Sequence, residues 1–328
     1  MGFLIYPKPA TNSYTKDLKR VISLYDEEVF CLSASELIIQ SLSNFRRMTV
    51  FLNWIDNWVF RKGKFSILGF LKLLVFLLIL RCTSKKVVFV RHNIYPHKYK
   101  SLDKFVKFTY KVIYFLTTHQ ITHSKRFASM DNIIYTPCPL PDRDYVFDSN
   151  VINLKDTFKK YFLIYGRLDE YKKIEEIIKH FQDSKLNLII AGRIDNTRYQ
   201  KYINEIIGAN KNIKLINRYI DTKSLESLIT NSQGVIVNHM QGSMIVSGSI
   251  IHTLSVGGII ISRKNFFTSE IKKYVDENTV FNFKSVKELD SLLSNIKNVK
   301  TKFNIGFNRR HSDESIYNIF NLKKIIIK

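Results

Sequence analysis

Between residues 161 and 262 short apolar runs alternate with helical stretches, and few folds accept that alternation. Residues 161–165, 186–191, 213–216, 234–237 and 259–262 read as five strands, mostly apolar, as strands of a buried sheet would be. After the first run, Ile174, Ile177, Ile178 and Phe181 fall at i, i+3, i+4 and i+7, one apolar helical face. A short helix opens over residues 224–228, and another starts near Ser249 and stops at Gly257-Gly258. Strand and helix at this spacing form right-handed crossover units and a parallel sheet. In such sheets ligands gather at the carboxyl ends of the strands. Two small-residue turns fall there: Gly166-Arg167-Leu168, running on through Lys172, and the loop from Gly242 to Ser249 with Ser247-Gly248.

The rest of the chain suits a second domain of the same class. At 328 residues and 45% hydrophobic, it can fill two ordinary cores and is not a disordered polymer. Fifty-one Lys and Arg against 28 Asp and Glu leave a formal charge of +23. That excess selects partners rather than fold: nucleic acid, an anionic membrane surface or phosphorylated substrates. A compositional bias toward Lys and Asn accounts for part of it. Cys31, Cys82 and Cys138 show no metal spacing and read as reduced thiols of a cytosolic protein. The amino terminus lacks the pattern of a secretory signal, and Gly2 lacks the Ser or Thr of a myristoylation site.

Residues 3–6 read as a first strand, 7–14 as the loop after it and 16–24 as a helix. Residues 50–53 form a strand followed by Trp54-Ile55-Asp56-Asn57-Trp58. The most apolar stretch, 65–80, is interrupted by Lys72 and falls short of the roughly 20 residues that cross a bilayer. It is expected to be a core helix, with a membrane-skimming helix as the other reading. A strand over 86–91 delivers His92-Asn93-Ile94-Tyr95-Pro96-His97 to a sheet edge. The helix over 102–116 continues a stripe of Lys100, Lys104, Lys107 and Lys111, accompanied by Phe105, Phe108, Tyr114 and Phe115. Such a face reads either as a surface for anionic headgroups or as a solvated helix side. Residues 121–124 would be the last strand of this half, and 133–142, with Pro137, Pro139 and Pro141, an interdomain linker. The expected division is 1–150, 151–300, and a segment 301–328 whose helix near 312–320 packs back toward the first domain.

In order, these motifs resemble a bacterial glycosyltransferase of the two-Rossmann-domain (GT-B) type, close to the retaining family 4-like enzymes of exopolysaccharide and O-antigen synthesis. The resemblance rests on Gly166-Arg167-Leu168 with Lys172, on Ile189-Ile190-Ala191-Gly192, and on Val246-Ser247-Gly248-Ser249 leading to Leu254-Ser255-Val256-Gly257. In the first half it rests on Asn12-Ser13-Tyr14 and on the His92–His97 segment, and it spans roughly residues 3 to 270. Where many relatives carry two glutamates for the donor sugar and ribose, this chain has Met244 and His252. That departure leaves the sugar, the nucleotide and the anomeric outcome open.

The resemblance implies an α/β chain of two Rossmann-like domains facing each other across a cleft, which holds a nucleotide sugar. Gly166, Arg167, Lys172, Ser247, Gly248 and Ser249 would hold the donor diphosphate, whose leaving phosphate gains charge as the sugar departs. Gly248 would let backbone approach a phosphate without a Cβ between them. Tyr219 and His252 would meet the base and ribose, and Asn12, Tyr14, His92 and Asn93 would line the acceptor side. A general base for an acceptor hydroxyl would be Asp56 or His97, between which the sequence does not choose. The implied acceptor is a glycan on a lipid diphosphate at the inner face of the cytoplasmic membrane, in O-antigen, capsule or exopolysaccharide assembly. The protein would be cytoplasmic and peripheral there, with no metal or other cofactor.

Three other classes stay open. A nucleic-acid-binding protein would also be basic, although the charge is spread over both halves and no binding motif appears. A sugar-nucleotide epimerase of the same fold would turn over donor without acceptor. A noncatalytic scaffold of an assembly complex would bind no nucleotide sugar.

Overall fold

A computed structural model describes residues 2–9, 14–24, 28–61, 63–96, 103–141, 158–239, 245–296 and 304–326. It divides into two compact units. Unit 1 comprises Met1–Asp142, Gly242–Val246 and Asn308–Lys328; unit 2 comprises Arg143–Gln241 and Ser247–Phe307. The expected border at residue 150, together with Asn12, His97, Lys100 and Met244, lies outside the described residues.

Unit 1 starts with β1 (Gly2–Tyr6), α1 (Tyr14–Ser23), β2 (Val29–Cys31), α2 (Ala34–Ser43) and β3 (Met48–Asn53). A small hairpin of β4 (Phe60–Arg61) and β5 (Lys64–Phe65) precedes α3 (Ile67–Thr83), and β6 (Lys86–Arg91), α4 (Lys104–Leu116), β7 (His119–Thr122), α5 (Lys125–Asp131) and β8 (Ile134–Tyr135) follow. The six-stranded sheet has the order β2-β1-β3-β6-β7-β8, and its pairings are parallel. Its central strands are apolar runs because both faces are covered. Leu52, Val87 and Phe89 pack with Leu73, Phe76 and Leu77 of α3 and Val106 and Ile113 of α4 in one core cluster. The helices begin where side chains satisfy their first N–H groups: Ser33 and Glu36 form a capping box on α2, Ser66 caps α3, and Asp103 accepts from Phe105 and Val106 at the start of α4.

Unit 2 follows the alternation closely: β9 (Phe162–Tyr165), α6 (Ile174–Gln182), β10 (Leu188–Ala191), α7 (Thr197–Ile207), β11 (Ile213–Ile216), α8 (Thr222–Asn231), β12 (Gly234–Val237), α9 (Gly248–Ser255), β13 (Ile260–Arg263), α10 (Phe266–Ile271), β14 (Val280–Phe283) and α11 (Leu289–Ile296). Its sheet order is β11-β10-β9-β12-β13-β14, again parallel. Successive crossovers run one way from β9 to β11 and the other way from β12 to β14. The carboxyl ends of β9 and β12 therefore flank a topological switch point. Ile174, Ile177, Ile178 and Phe181 are all buried, so the apolar face read from their spacing is the face α6 packs inward.

Three expectations need correction. The sheet of unit 1 does not end at residues 121–124, because β8 pairs parallel to β7 beyond them. The proline-rich stretch is also not a free linker: His311 Nδ1 bonds the Cys138 carbonyl at 2.8 Å and Arg20 donates to the Leu140 carbonyl at 2.8 Å. The apolar helix α3 is only half core. Leu73, Phe76, Leu77 and Leu80 are buried, whereas Ile67, Leu68, Leu71, Val75 and Leu78 are exposed. The chain ends with α12 (Ile305–Arg310) and α13 (Asp313–Leu322), and α13 packs on α1 of unit 1, where Arg20 bonds Asp313 at 2.6 and 3.0 Å.

Candidate functional site

In unit 2 the site grows from the strand ends at the switch point. Gly166 follows β9 with φ +90° and bonds the Ala191 carbonyl at 3.0 Å. Gly192 follows β10 with φ +152°, and a Cβ there would lie 1.9 Å from the Gly166 carbonyl oxygen. Only glycine lets these two strand ends close on each other. From the single helical turn Glu170–Lys172, the Lys172 side chain turns back so that Nζ donates to the Tyr165 carbonyl at 3.3 Å. Burial lowers its pKa to about 8; nearby Asp169 opposes that shift and Arg167 adds to it.

Tyr165 ties the end of β9 to the first turn of α9, donating to the Ser249 carbonyl at 2.6 Å with its hydroxyl 3.0 Å from Thr253 Oγ1. Lys172, Ser249, Asn238 and His239 line a narrow cleft over an apolar floor that includes Ile164 and Val237. Ser247, just before α9, makes no side-chain cap; its hydroxyl lies 3.0 Å from that of Ser249. A Cβ on Gly248 would meet nothing within 4 Å, so backbone is open to approach there.

The residues beside Lys172 were not legible in the sequence. Asn238 and His239 directly follow β12, in the place that Gly166 and Arg167 hold after β9. Asn238 is held on both ends of its amide: Nδ2 donates to the Lys173 carbonyl at 2.9 Å and Oδ1 accepts from Arg263 Nε at 2.8 Å. Arg263 also bonds Glu176 at 2.5 Å. His239 is 7% exposed; burial, with Lys172 close by, lowers its pKa to about 3. The only sequence signal was a polar pair at the end of an apolar strand.

Other expected donor residues are placed differently. Arg167 does not line the cleft among its described residues; it is drawn outward by two carboxylates, Asp169 at 3.0 Å and Asp195 at 3.4 Å. His252 also turns away, its Nε2 3.5 Å from Glu226 on α8 and its ring edge-on to Tyr165. Tyr219 stands 80% exposed between β11 and α8.

In unit 1 the carboxyl ends of β1, β3, β6 and β7 carry a buried polar and aromatic cluster. Tyr14 and His123 meet at 2.9 Å, and His123 Nδ1 faces the Thr136 carbonyl at 2.9 Å. His92 meets Asn53 at 2.9 Å and is stacked by Trp54 at 4.5 Å between centroids. Trp54 itself adopts φ +55°. Asn93 is buried, with its carbonyl accepting from Arg91 Nε and the Tyr110 hydroxyl, both at 3.1 Å. Asp56 is 4% exposed and accepts from the same Tyr110 hydroxyl at 3.1 Å. Burial raises its pKa to about 6 against the pull of Tyr110 and Arg91. Tyr14, His92, Asn93 and Asp56 thus belong to one neighbourhood, Asp56 deep within it.

The outer face of unit 1 joins apolar and basic groups. Exposed Ile39 and Leu42 of α2, Leu68, Leu71 and Val75 of α3, and Phe105, Phe108 and Phe115 of α4 accompany exposed Lys72, Lys104, Lys107 and Lys111. Among the described residues no helix is long and apolar enough to cross a membrane, and no group of three or more His, Cys, Asp or Glu is placed to hold a metal.

No protein-family model matches the chain, and no curated protein matches it by sequence. Solved structures do. AviGT4, a glycosyltransferase involved in avilamycin A biosynthesis, aligns over 99% of this chain and 97% of its own with a TM-score of 0.62 at 11% identity. Anabaena Alr3699/HepE, solved in complex with UDP and glucose, aligns over 99% of both chains with a TM-score of 0.64 at 13% identity. The trehalose-6-phosphate synthase OtsA aligns over 99% of both chains with a TM-score of 0.63 at 11% identity. At these identities the likeness shows the fold, that of the GT-B glycosyltransferases.

Proposed function

We propose that the protein is a glycosyltransferase that takes a sugar from a nucleotide-sugar donor, with unit 2 binding the donor. One observation carries this reading: a buried lysine, Lys172, set at the switch point in a cleft it shares with the first turn of α9. Breaking a sugar–phosphate bond builds negative charge on the leaving phosphate. A cation held in a partly dry cleft stabilises that charge far more than one in water. Gly166, Ser247, Gly248 and Ser249 complete the diphosphate side with backbone and hydroxyl groups. Arg167 joins them by exchanging Asp169 or Asp195 for phosphate oxygens, and exposed Tyr219 offers its ring to the base.

On the acceptor side the proposal uses Tyr14, His92 and Asn93. Asp56, buried beside Asn93 with a pKa of about 6, is the proposed general base for the acceptor hydroxyl. The acceptor we propose is a lipid-linked glycan, in the assembly of a surface polysaccharide at the inner face of the cytoplasmic membrane. The apolar and lysine-bearing face of α2, α3 and α4 supports that location, since anionic headgroups suit lysines and the bilayer boundary suits exposed Leu and Phe.

The test is a thermal-shift screen of the parent and Lys172→Ala against UDP-, GDP-, dTDP- and CMP-sugars. One donor class should raise the parent's melting temperature by mass action. Lys172→Ala should lose that shift, and turnover with the same donor should fall about 100-fold, the usual effect of deleting a charge-stabilising contact. A parent unmoved by all four classes ends the proposal.

A further inference from the structure

We propose that His239 is a ligand-contacting residue of the unit 2 cleft, offering Nδ1 as a hydrogen-bonding group to a phosphoryl oxygen of a bound nucleoside diphosphate. The inference rests on the donor reading of that cleft and adds a residue that neither the spacing of motifs nor any comparison assigns.

Position comes first. His239 lies just past β12, the strand paired with β9 at the switch point, and lines the same cleft as Lys172 and Ser249. Second, one of its ring nitrogens is unused. The residue is 7% exposed, and Nδ1 is buried with no hydrogen-bond partner among the described residues. Buried polar atoms are nearly always paired, because an unpaired one forfeits its hydration for nothing, so each exception calls for an explanation.

The neighbours sharpen the contrast. Asn238, one residue earlier, has both ends of its amide engaged by protein groups. His123, buried in unit 1, meets a partner at each ring nitrogen. His239 instead packs its ring 5.5 Å from that of Tyr171. A ring kept neutral by burial and a nearby ammonium still carries one N–H, and a bound phosphoryl group would fix that proton on the nitrogen facing it. Lys172 would then supply the charge and His239 a directional contact.

The experiment is calorimetric titration of UDP, GDP and dTDP into the full chain, with melting curves of each ligand-free variant. The proteins are the parent, Lys172→Ala, His239→Phe and His239→Asn. Phe keeps the ring and removes the polar atom, whereas Asn keeps a hydrogen-bonding group near the same place. For the nucleotide that binds the parent, His239→Phe should weaken binding about tenfold, close to the loss of one hydrogen bond. His239→Asn should stay within about threefold of the parent, since the group is retained. Ligand-free His239→Phe should melt no lower than the parent, since it removes an unsatisfied polar atom. If His239→Phe binds like the parent while Lys172→Ala does not, the His239 assignment is wrong and the donor reading survives. Lower melting with unchanged binding in both His239 variants would make the residue structural and overturn the proposal. No binding by the parent, or full binding by Lys172→Ala, removes the donor reading and this inference with it.

Discussion

Lys172 and Asp56 are both held away from their ordinary proton affinities by burial, with opposite consequences. For Lys172 the folded pKa is about 8 against an ordinary 10.5, so between those values the unfolded chain holds more protons. Stability therefore rises with pH across that window, and Lys172→Met should abolish that part of the rise in melting curves recorded from pH 7 to 10. Nucleotide affinity should run the other way, falling in the parent as pH climbs through about 8, since only the ammonium attracts phosphate. For Asp56 the folded pKa is about 6 against 3.8, so the folded chain holds the extra proton and stability falls as pH rises through that window. Asp56→Asn, which keeps an acceptor for Tyr110, should be the more stable protein at pH 7 by about 3 kcal/mol and lose its advantage near pH 4. Denaturant titration at the two pH values checks this, and turnover of the same variant tests Asp56 as a base. Gly166, Lys172 and Gly248 were legible because small residues and a cation at strand-to-helix turns have few other uses. His239 was not, since a single histidine has no periodicity, and the pairing of Arg167 with Asp195 was hidden by the distance between them in sequence.

At the level of elements, strands covered on both faces announce themselves as apolar runs, which is why β9, β10, β12 and β13 could be read almost to the residue. Partly exposed β14 escaped, as did β8, whose short ladder is followed at once by prolines. Helix α3 misled for a different reason: it is apolar around its whole circumference, so its sequence could not say which side the sheet would cover. Its uncovered side supports the membrane proposal and yields a prediction. Leu68, Leu71 and Val75 changed together to Ser should leave the melting temperature nearly unchanged and reduce co-sedimentation with anionic vesicles several-fold. Undiminished sedimentation would remove that face from the proposal. The meeting of β9 and β10 yields another. Gly192→Ala puts a methyl 1.9 Å from the Gly166 carbonyl oxygen, so it should destabilise unit 2 by about 3 kcal/mol or more, visible as an earlier unfolding transition.

Across the whole molecule, the two-domain α/β class was legible because each half repeats the same strand-and-helix rhythm. The path of the chain was less so. The chain leaves unit 1 after residue 142, touches it again at 242–246 and returns for 308–328. Those distant segments are joined by single residues: Arg20 bonds Asp17, Asp313 and the Leu140 carbonyl, while Lys86 donates to the carbonyls of Lys324 and Ile325. Arg20→Ala should thus loosen unit 1 selectively, with limited proteolysis cutting residues 1–142 sooner while 158–296 stay resistant.

That returning tail also sets an order of events during synthesis. A nascent chain emerging from the ribosome presents every strand of unit 2 before it presents α13, the partner of α1. The second lobe can therefore mature while the first, although translated earlier, still waits for its closing helix. A chain ending short of residue 313 would contain every strand of unit 2 yet lack the helix that packs on α1.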